Sequence, residues 1–321
     1  MKLHPILCAT ITVMLVLCSC SHHKEIHETA AIPGVGESTT PAQLPPSSPQ
    51  SVQNPEDEIR GYLVRLLEEQ GLQREYAQNL IGDPRLIFDP GFILKNLRIS
   101  PPRASPKTPG IMEYDPVYVL RGRSFIDTNL KQFSLIQDRY GTSPEIITAI
   151  LIVETRLGTY PMRYRAMRVF ANMALAQDPL FIASLEGHYK GLSELLRDDA
   201  VLKVATAKAK WASGELFELI VLSRELGLDP HEIKGSVSGA LGPAQFIPST
   251  FRKYGVDGDG DGKKDPFNMA DAMASIASYL KSSGWREDGD EQRRRTAIWR
   301  YNHSDIYVNT ILKLYQELSG S

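Results

Sequence analysis

Along most of this chain apolar residues return every three or four positions, the spacing of a helix with one buried face. Ile59, Tyr62, Leu63, Leu66 and Leu67 form such a stripe from Glu56 onward, and Gly71 is placed to end it. The same period runs through SFIDTNLKQFSLIQDRYG and through KAKWASGELFELIVLSRELG, which closes at Gly227 with Asp229-Pro230 beyond as a stop signal. Two stretches depart from it. ISPPRASPKTPGIM (99–112) holds too many prolines for regular structure, and PVYVL (116–120) has the look of a short β-strand. No βαβ alternation and no fixed repeat occurs, so the pattern predicts one mainly helical domain over 56–321.

The segment ITAILIVETRLG (147–158) is apolar on most sides, which predicts a central helix. Ser143 is placed to cap it, Pro144 suits its first turn and Glu145 its positive end. Glu154 stands near its C-terminus, just before Gly158. Desolvation and the negative helix end both disfavour the ionised carboxylate there and would raise its pKa. A glutamic acid protonated near neutrality is what general-acid chemistry requires. An ion pair with Arg156, Arg163 or Arg165 would instead leave Glu154 ionised and inert, and the residues of this segment alone leave both readings open.

The two ends of the chain differ in kind. Lys2 and the apolar run Ile6 to Leu17, too short to span a bilayer, make a secretory signal. Leu17-Cys18-Ser19-Cys20 resembles a bacterial lipobox, which implies a signal peptide over 1–19 and lipidation of Cys20. A plain uncleaved anchor or simple secretion is the alternative. Ser21 after the cysteine implies sorting to the outer membrane of a Gram-negative cell, facing the periplasm. Residues 20–55 are rich in Pro, Ser, Thr and Gln, the composition of a disordered tether. Cys8, Cys18 and Cys20 are the only cysteines, so the body of the protein forms no internal disulfide. A net charge of -2 argues against nucleic acid as a partner.

One more stretch carries chemistry. In YGVDGDGDGKKDPFNMAD, Asp257, Asp259, Asp261 and Gly262 match positions 1, 3, 5 and 6 of an EF-hand loop, and Lys263 offers its carbonyl at position 7. The twelfth position is Asn268 rather than the bidentate Glu expected there, and Asp271 could close a longer loop. Three aspartates so close repel one another without a cation, which points to a structural Ca²⁺ rather than a solvated acidic turn.

VETRLG, SVSGALGPAQFIPSTFRKYG (236–255), the Ser275 to Tyr279 helix and RYNHSDIYVNTI (300–311) occur in an order that resembles the membrane-bound B-type lytic murein transglycosylases. The resemblance covers about 57–318. It implies a mainly α, lysozyme-like (α+β) fold and an EF-hand-like loop over 257–271 closed by Asp271. It implies cleavage of the β-1,4 bond between N-acetylmuramic acid and N-acetylglucosamine without water, leaving a 1,6-anhydromuramyl end. Glu154 would be the only acid and base. Ser236 and Asn302 would hydrogen-bond that acid or the N-acetyl group, Gln245 would contact glycan, Tyr301 would shape the site and Phe246 would stack on a sugar. Peptidoglycan strands are the implied partner, with proteins of cell-wall synthesis or division as further candidates, and no organic cofactor is implied. A hydrolytic muramidase of the same fold and a non-catalytic wall-binding scaffold are the competing readings.

Overall fold

The computed structural model describes residues 54–89, 92–93, 110–185 and 199–320. The signal peptide, Cys20, all but the last residues of the tether and most of the Pro-rich stretch lie outside the described residues. Asn54 accepts a hydrogen bond from the Glu56 amide and Pro55 takes the first turn of α1 (Pro55–Glu69), a start that needs no tertiary support. α2 (Arg74–Gly82) folds back on α1, and the buried face of the pair is Ile59, Leu63, Leu67, Ala77 and Ile81.

PVYVL is helix, not strand. Asp115 Oδ1 accepts the Val117 amide at 2.9 Å, Pro116 already has helical φ and ψ, and α3 runs over Val117–Thr128. Tertiary context overrides the β propensity of the two valines, because α3 has to lie across the next buried helix. Gly122 is the contact point: a Cβ there would meet Leu318 Cδ2 at 2.8 Å and Ile152 Cδ1 at 3.0 Å. After α4 (Leu130–Tyr140) and the left-handed Gly141, α5 (Pro144–Thr155) enters the core with every residue from Ile146 to Thr155 buried. Ser143 stands at its N-cap position, but its side chain accepts no helix amide; its own N–H instead donates to Glu287 Oε1 at 2.7 Å.

The remaining elements are β1 (Tyr164–Arg165), α6 (Ala166–Ala174), α7 (Pro179–Leu185), α8 (Asp199–Leu226), β2 (Lys234–Gly235), α9 (Pro248–Tyr254), α10 (Met269–Ser282), α11 (Glu291–Tyr301) and α12 (Asp305–Ser319). β1 and β2 pair antiparallel, with Tyr164 opposite Gly235 and Arg165 opposite Lys234. α5 packs against α12, α3 and α10, while α6 and α9 pack along the long α8. One cluster of buried apolar residues runs from Ile59 to Leu318. Among the described residues no helix is long and apolar enough to cross a membrane.

Candidate active site

α5 ends abruptly, and that ending builds the site. Arg156, Leu157 and Gly158 all have positive φ, 53°, 60° and 79°, and the Arg156 and Leu157 amides return to Ile152 and Leu151. Two non-glycine residues in the left-handed region cost roughly 1–3 kcal/mol each, and such strain gathers at functional sites. Thr155 Oγ1 offsets part of it by donating to Pro243 O at 2.9 Å and accepting the Gly158 amide at 3.0 Å. Pro243 belongs to the 241–246 turn, where Leu241 and Phe246 form a β-bridge. Gly242 cannot be replaced there without rebuilding, since its Cβ would stand 1.7 Å from Pro266 O. The glycines of the motif therefore bring the Gln245 turn to the end of the Glu154 helix.

Glu154 is 7% exposed and accepts one hydrogen bond, from the Tyr307 hydroxyl to Oε1 at 2.8 Å. Burial pushes its carboxyl up to about 7, and the Tyr307 bond opposes that shift without cancelling it. None of the three candidate arginines pairs with it. Arg165 bonds Glu232 at 2.6 Å, Arg156 lies over the rings of Tyr118 and Tyr160, and Arg163 is exposed. Among the described residues Glu154 makes no ion pair and touches no second carboxylate.

Tyr307 was not singled out by the sequence motifs. It sits on the buried stripe of α12 with Val308, Ile311 and Leu314, and a buried tyrosine on such a stripe needs an acceptor for its hydroxyl. That need was the available signal. Its ring stacks on Tyr301 with planes 6° apart and centroids at 6.3 Å. Burial, followed by the nearby Glu154 charge, holds both phenols well above their usual range, so both are neutral donors. Tyr301 donates to Ala244 O at 2.6 Å, which ties α11 to the Gln245 turn.

The other expected site residues divide. Asn302 follows Tyr301 at the end of α11; it is 8% exposed, and its Oδ1 is buried without a donor among the described residues. Gln245 has φ 51° and directs Nε2 to Gly242 O and to Met162 Sδ, at 2.9 and 3.3 Å. Ser236 Oγ accepts the amides of Ser238 and Ala240, which braces its own turn and leaves its hydroxyl proton to donate. Phe246 is 4% exposed and packs against Tyr279 and Tyr301, with centroids at 5.7 and 5.4 Å. Its ring supports Tyr301 from within and is almost wholly covered.

The acidic loop is a separate construction. Asp257, Asp259 and Asp271 bring carboxylate oxygens within 4.8 Å of one another. Asp271 is 1% exposed and accepts the amides of Gly258 and Asp265, both at 2.7 Å. Asn268 donates to Asp259 and accepts two amides at the start of α10, a capping role that accounts for the missing glutamate. Asp261 and Lys263 fall outside the trio, with Asp261 Oδ1 accepting the Lys263 amide at 2.8 Å. A cluster of hard, anionic oxygens of this kind fits Ca²⁺.

With this geometry established, comparison with known proteins defines the class. The transglycosylase SLT domain family matches residues 112–295, more than half of the chain, and the chain belongs to that family. Membrane-bound lytic murein transglycosylase B of Escherichia coli (strain K12) is 33% identical over 146 residues, 46% of this chain and 33% of that protein. The aligned stretch thus spans about a third of that relative's length. The lytic transglycosylase Slt35 of Escherichia coli, solved in complex with calcium, superimposes with a TM-score of 0.62 at 20% identity, covering 83% of this chain and 93% of that one. SltB3 of Pseudomonas aeruginosa, solved in complex with NAG-NAM-pentapeptide, gives 0.61 at 18% identity, covering 83% and 80%. The mainly helical, lysozyme-like fold expected from the motifs is the fold found.

Proposed function

We propose that this protein is a peptidoglycan lytic transglycosylase in which Glu154 is the sole acid and base. The observation that carries the reading is one buried glutamic acid, pushed up to about 7, with a spare oxygen and no charged carboxylate acting on it among the described residues. Retaining and inverting glycosidases need two carboxylates, about 5–10 Å apart. A lone acid suffices when the substrate supplies the second group. Glu154 protonates the glycosidic oxygen and the bond from C1 of the muramic residue breaks. The N-acetyl oxygen of the same sugar stabilises C1. Glu154, now a carboxylate, then takes the C6 hydroxyl proton as O6 bonds to C1, giving the 1,6-anhydro product without water. Asn302 Oδ1, buried and without a donor among the described residues, would accept the N-acetyl N–H. Ser236 and Gln245 supply further polar contacts to glycan.

The family assignment and the NAG-NAM-pentapeptide bound by SltB3 of Pseudomonas aeruginosa support this reading. We extend it to a lipid anchor at Cys20, a tether over 20–55 and a periplasmic position at the outer membrane. That arrangement would place the enzyme within reach of the wall and of the machinery that builds or divides it. We also assign Ca²⁺ to Asp257, Asp259 and Asp271, where it would neutralise the trio and fix the start of α10; Asp261 and the Lys263 carbonyl are candidate additional ligands. Mass analysis of digested sacculi tests the central reading. Anhydromuramyl ends are expected; reducing ends alone would assign a hydrolytic muramidase, and no release at all would leave a wall-binding scaffold.

A further inference from the structure

Gln245 is held by a contact that no sequence motif announces. Its Nε2 donates to Gly242 O at 2.9 Å and to Met162 Sδ at 3.3 Å. A carbonyl oxygen can only accept, so the nitrogen of the side-chain amide must be the atom that faces it. Both Nε2 hydrogens are then spent. Oε1, which accepts no hydrogen bond among the described residues, is the atom left for a glycan hydroxyl or N–H. Gly242 O also accepts the Gln245 backbone amide at 3.2 Å, so the turn itself fixes one side of the side chain. The other side is fixed by a single thioether, a weak acceptor.

The stretch that carries Met162 is tied at both ends. The Tyr160 amide donates to Thr155 O at 2.9 Å, and Tyr164 pairs with Gly235 across β1 and β2. Its backbone has little slack, so a change at the sulfur is passed on to Gln245. Met162 is also open to small solutes. It is half-buried, with Pro161 and Arg163 exposed on either side, whereas Met167, Met173 and Met273 lie in the core. Access of this kind governs where methionine is oxidised. Met112 and Met269 are half-buried as well, and the Gln245 amide is bonded to neither sulfur.

We propose that Met162 is an oxidation-sensitive positioning residue, which aims the Gln245 amide at glycan and releases it when its sulfur is oxidised. The inference rests on the glycan-contacting reading of Gln245 above. The oxidant is a peroxide. The sulfur lone pair attacks one peroxide oxygen, the O–O bond breaks as the S–O bond forms, and hydrogen peroxide leaves as water. Sulfur loses two electrons and the peroxide gains them. The product is polar where the thioether was apolar. The 3.3 Å between sulfur and nitrogen is already filled by one hydrogen bond. With an oxygen added to the sulfur, a normal N–H···O distance requires the amide or the methionine to move, and Oε1 turns with the amide. A methionine sulfoxide reductase reverses the change.

Calorimetric titration of the full chain with a peptide-free glycan tetrasaccharide, before and after hydrogen peroxide, tests this without requiring turnover. Peptide mass spectrometry reports which methionines have gained oxygen. Affinity should fall about three- to tenfold, the worth of one polar contact, and return after treatment with the reductase. Met112→Leu should respond to peroxide as the wild type does. Met162→Leu keeps the volume; it should bind about twofold more weakly than the untreated wild type and no longer respond. In ¹⁵N NMR the Gln245 side-chain amide, assigned by its absence from Gln245→Ala, should shift on oxidation of the wild type and not of Met162→Leu. An unshifted amide, a Met162 that stays reduced while Met112 and Met269 oxidise, or an equal loss of affinity in Met162→Leu would overturn the assignment. Untreated protein that binds no glycan would overturn the role of Gln245 and this assignment with it. A chain that binds glycan and responds to peroxide as described, yet leaves strands uncut, would sink the transglycosylase reading instead.

Discussion

Glu154 on α5 and Glu215 on α8 are both glutamates at the heart of the molecule, 7% and 4% exposed, and burial pushes both carboxyls up. Their hydrogen bonds separate them. Glu215 accepts Ser249 Oγ at 2.6 Å on one oxygen and the Ser249 amide at 3.0 Å on the other, at the first turn of α9. Each of its oxygens holds a bond from Ser249, and it fastens one helix to another. Glu154 accepts a single bond from Tyr307, on one oxygen, and stands where α5 breaks off. Burial alone therefore does not mark an acid for catalysis; burial with an unfilled oxygen does.

Replacing each glutamate should break the comparison in opposite directions. Glu154→Gln is expected to lower sacculus cleavage by about 10²–10⁴-fold, the usual worth of a general acid. Glu215→Gln should retain most of the activity and lose about 1–3 kcal/mol of stability as the Ser249 bonds weaken. Turbidity assays and denaturant melts on the two variants measure this. Comparable activity losses in both would dissolve the distinction.

The pH dependence of stability sharpens it. Glu154 ionises at an ordinary 4.5 when unfolded and near 7 when folded, so between those values the folded protein holds the extra proton. Stability therefore falls as pH rises through that window, and none of this cost exists below it. At about pH 8 Glu154→Gln should be more stable than the wild type by about 3 kcal/mol, a gain that vanishes below about pH 4. Melting curves across that range test the difference, and a gain independent of pH would contradict a raised pKa.

A third buried carboxylate, Asp271, extends the series. Burial pushes it up, and the nearby Asp259 and Asp257 add to the shift, against two backbone amides that oppose it. Ca²⁺ should relieve this repulsion and raise stability by about 3 kcal/mol at a hundredfold excess over Kd. A melting temperature that does not respond to Ca²⁺ or chelator would argue against the site. The smallest effect expected is that of Tyr307→Phe. Loss of the only donor to Glu154 among the described residues lets its pKa climb further, so the basic limb of the pH–rate profile moves up. The optimum rate falls about tenfold as the carboxyl loses its orientation. An unmoved profile would remove Tyr307 from the site.

Much of this was legible in the sequence because it is local. The apolar run of ITAILIVETRLG fixes α5 as a central helix, and its position within that run puts Glu154 in a dry place. The glycines around Gln245 announce a turn, and Asp257, Asp259 and Asp271 announce a cluster of carboxylates. What was not legible depends on distant neighbours. PVYVL became helix because α3 must cross α5 at Gly122. Phe246 packs against Tyr279 and Tyr301, and Tyr307 reaches Glu154 from 153 residues away. The SGEL of α8 resembles any amphipathic stretch until Ser249 arrives opposite Glu215.

Burial holds a proton on Glu154 up to near neutral pH. Its titration can be observed directly by ¹³C NMR of side-chain-labelled glutamate, assigned as the resonance absent from Glu154→Gln. A midpoint near 7 is expected. A midpoint at or below the ordinary 4.5 would mean an ionised, compensated carboxylate and would contradict Glu154 as the acid.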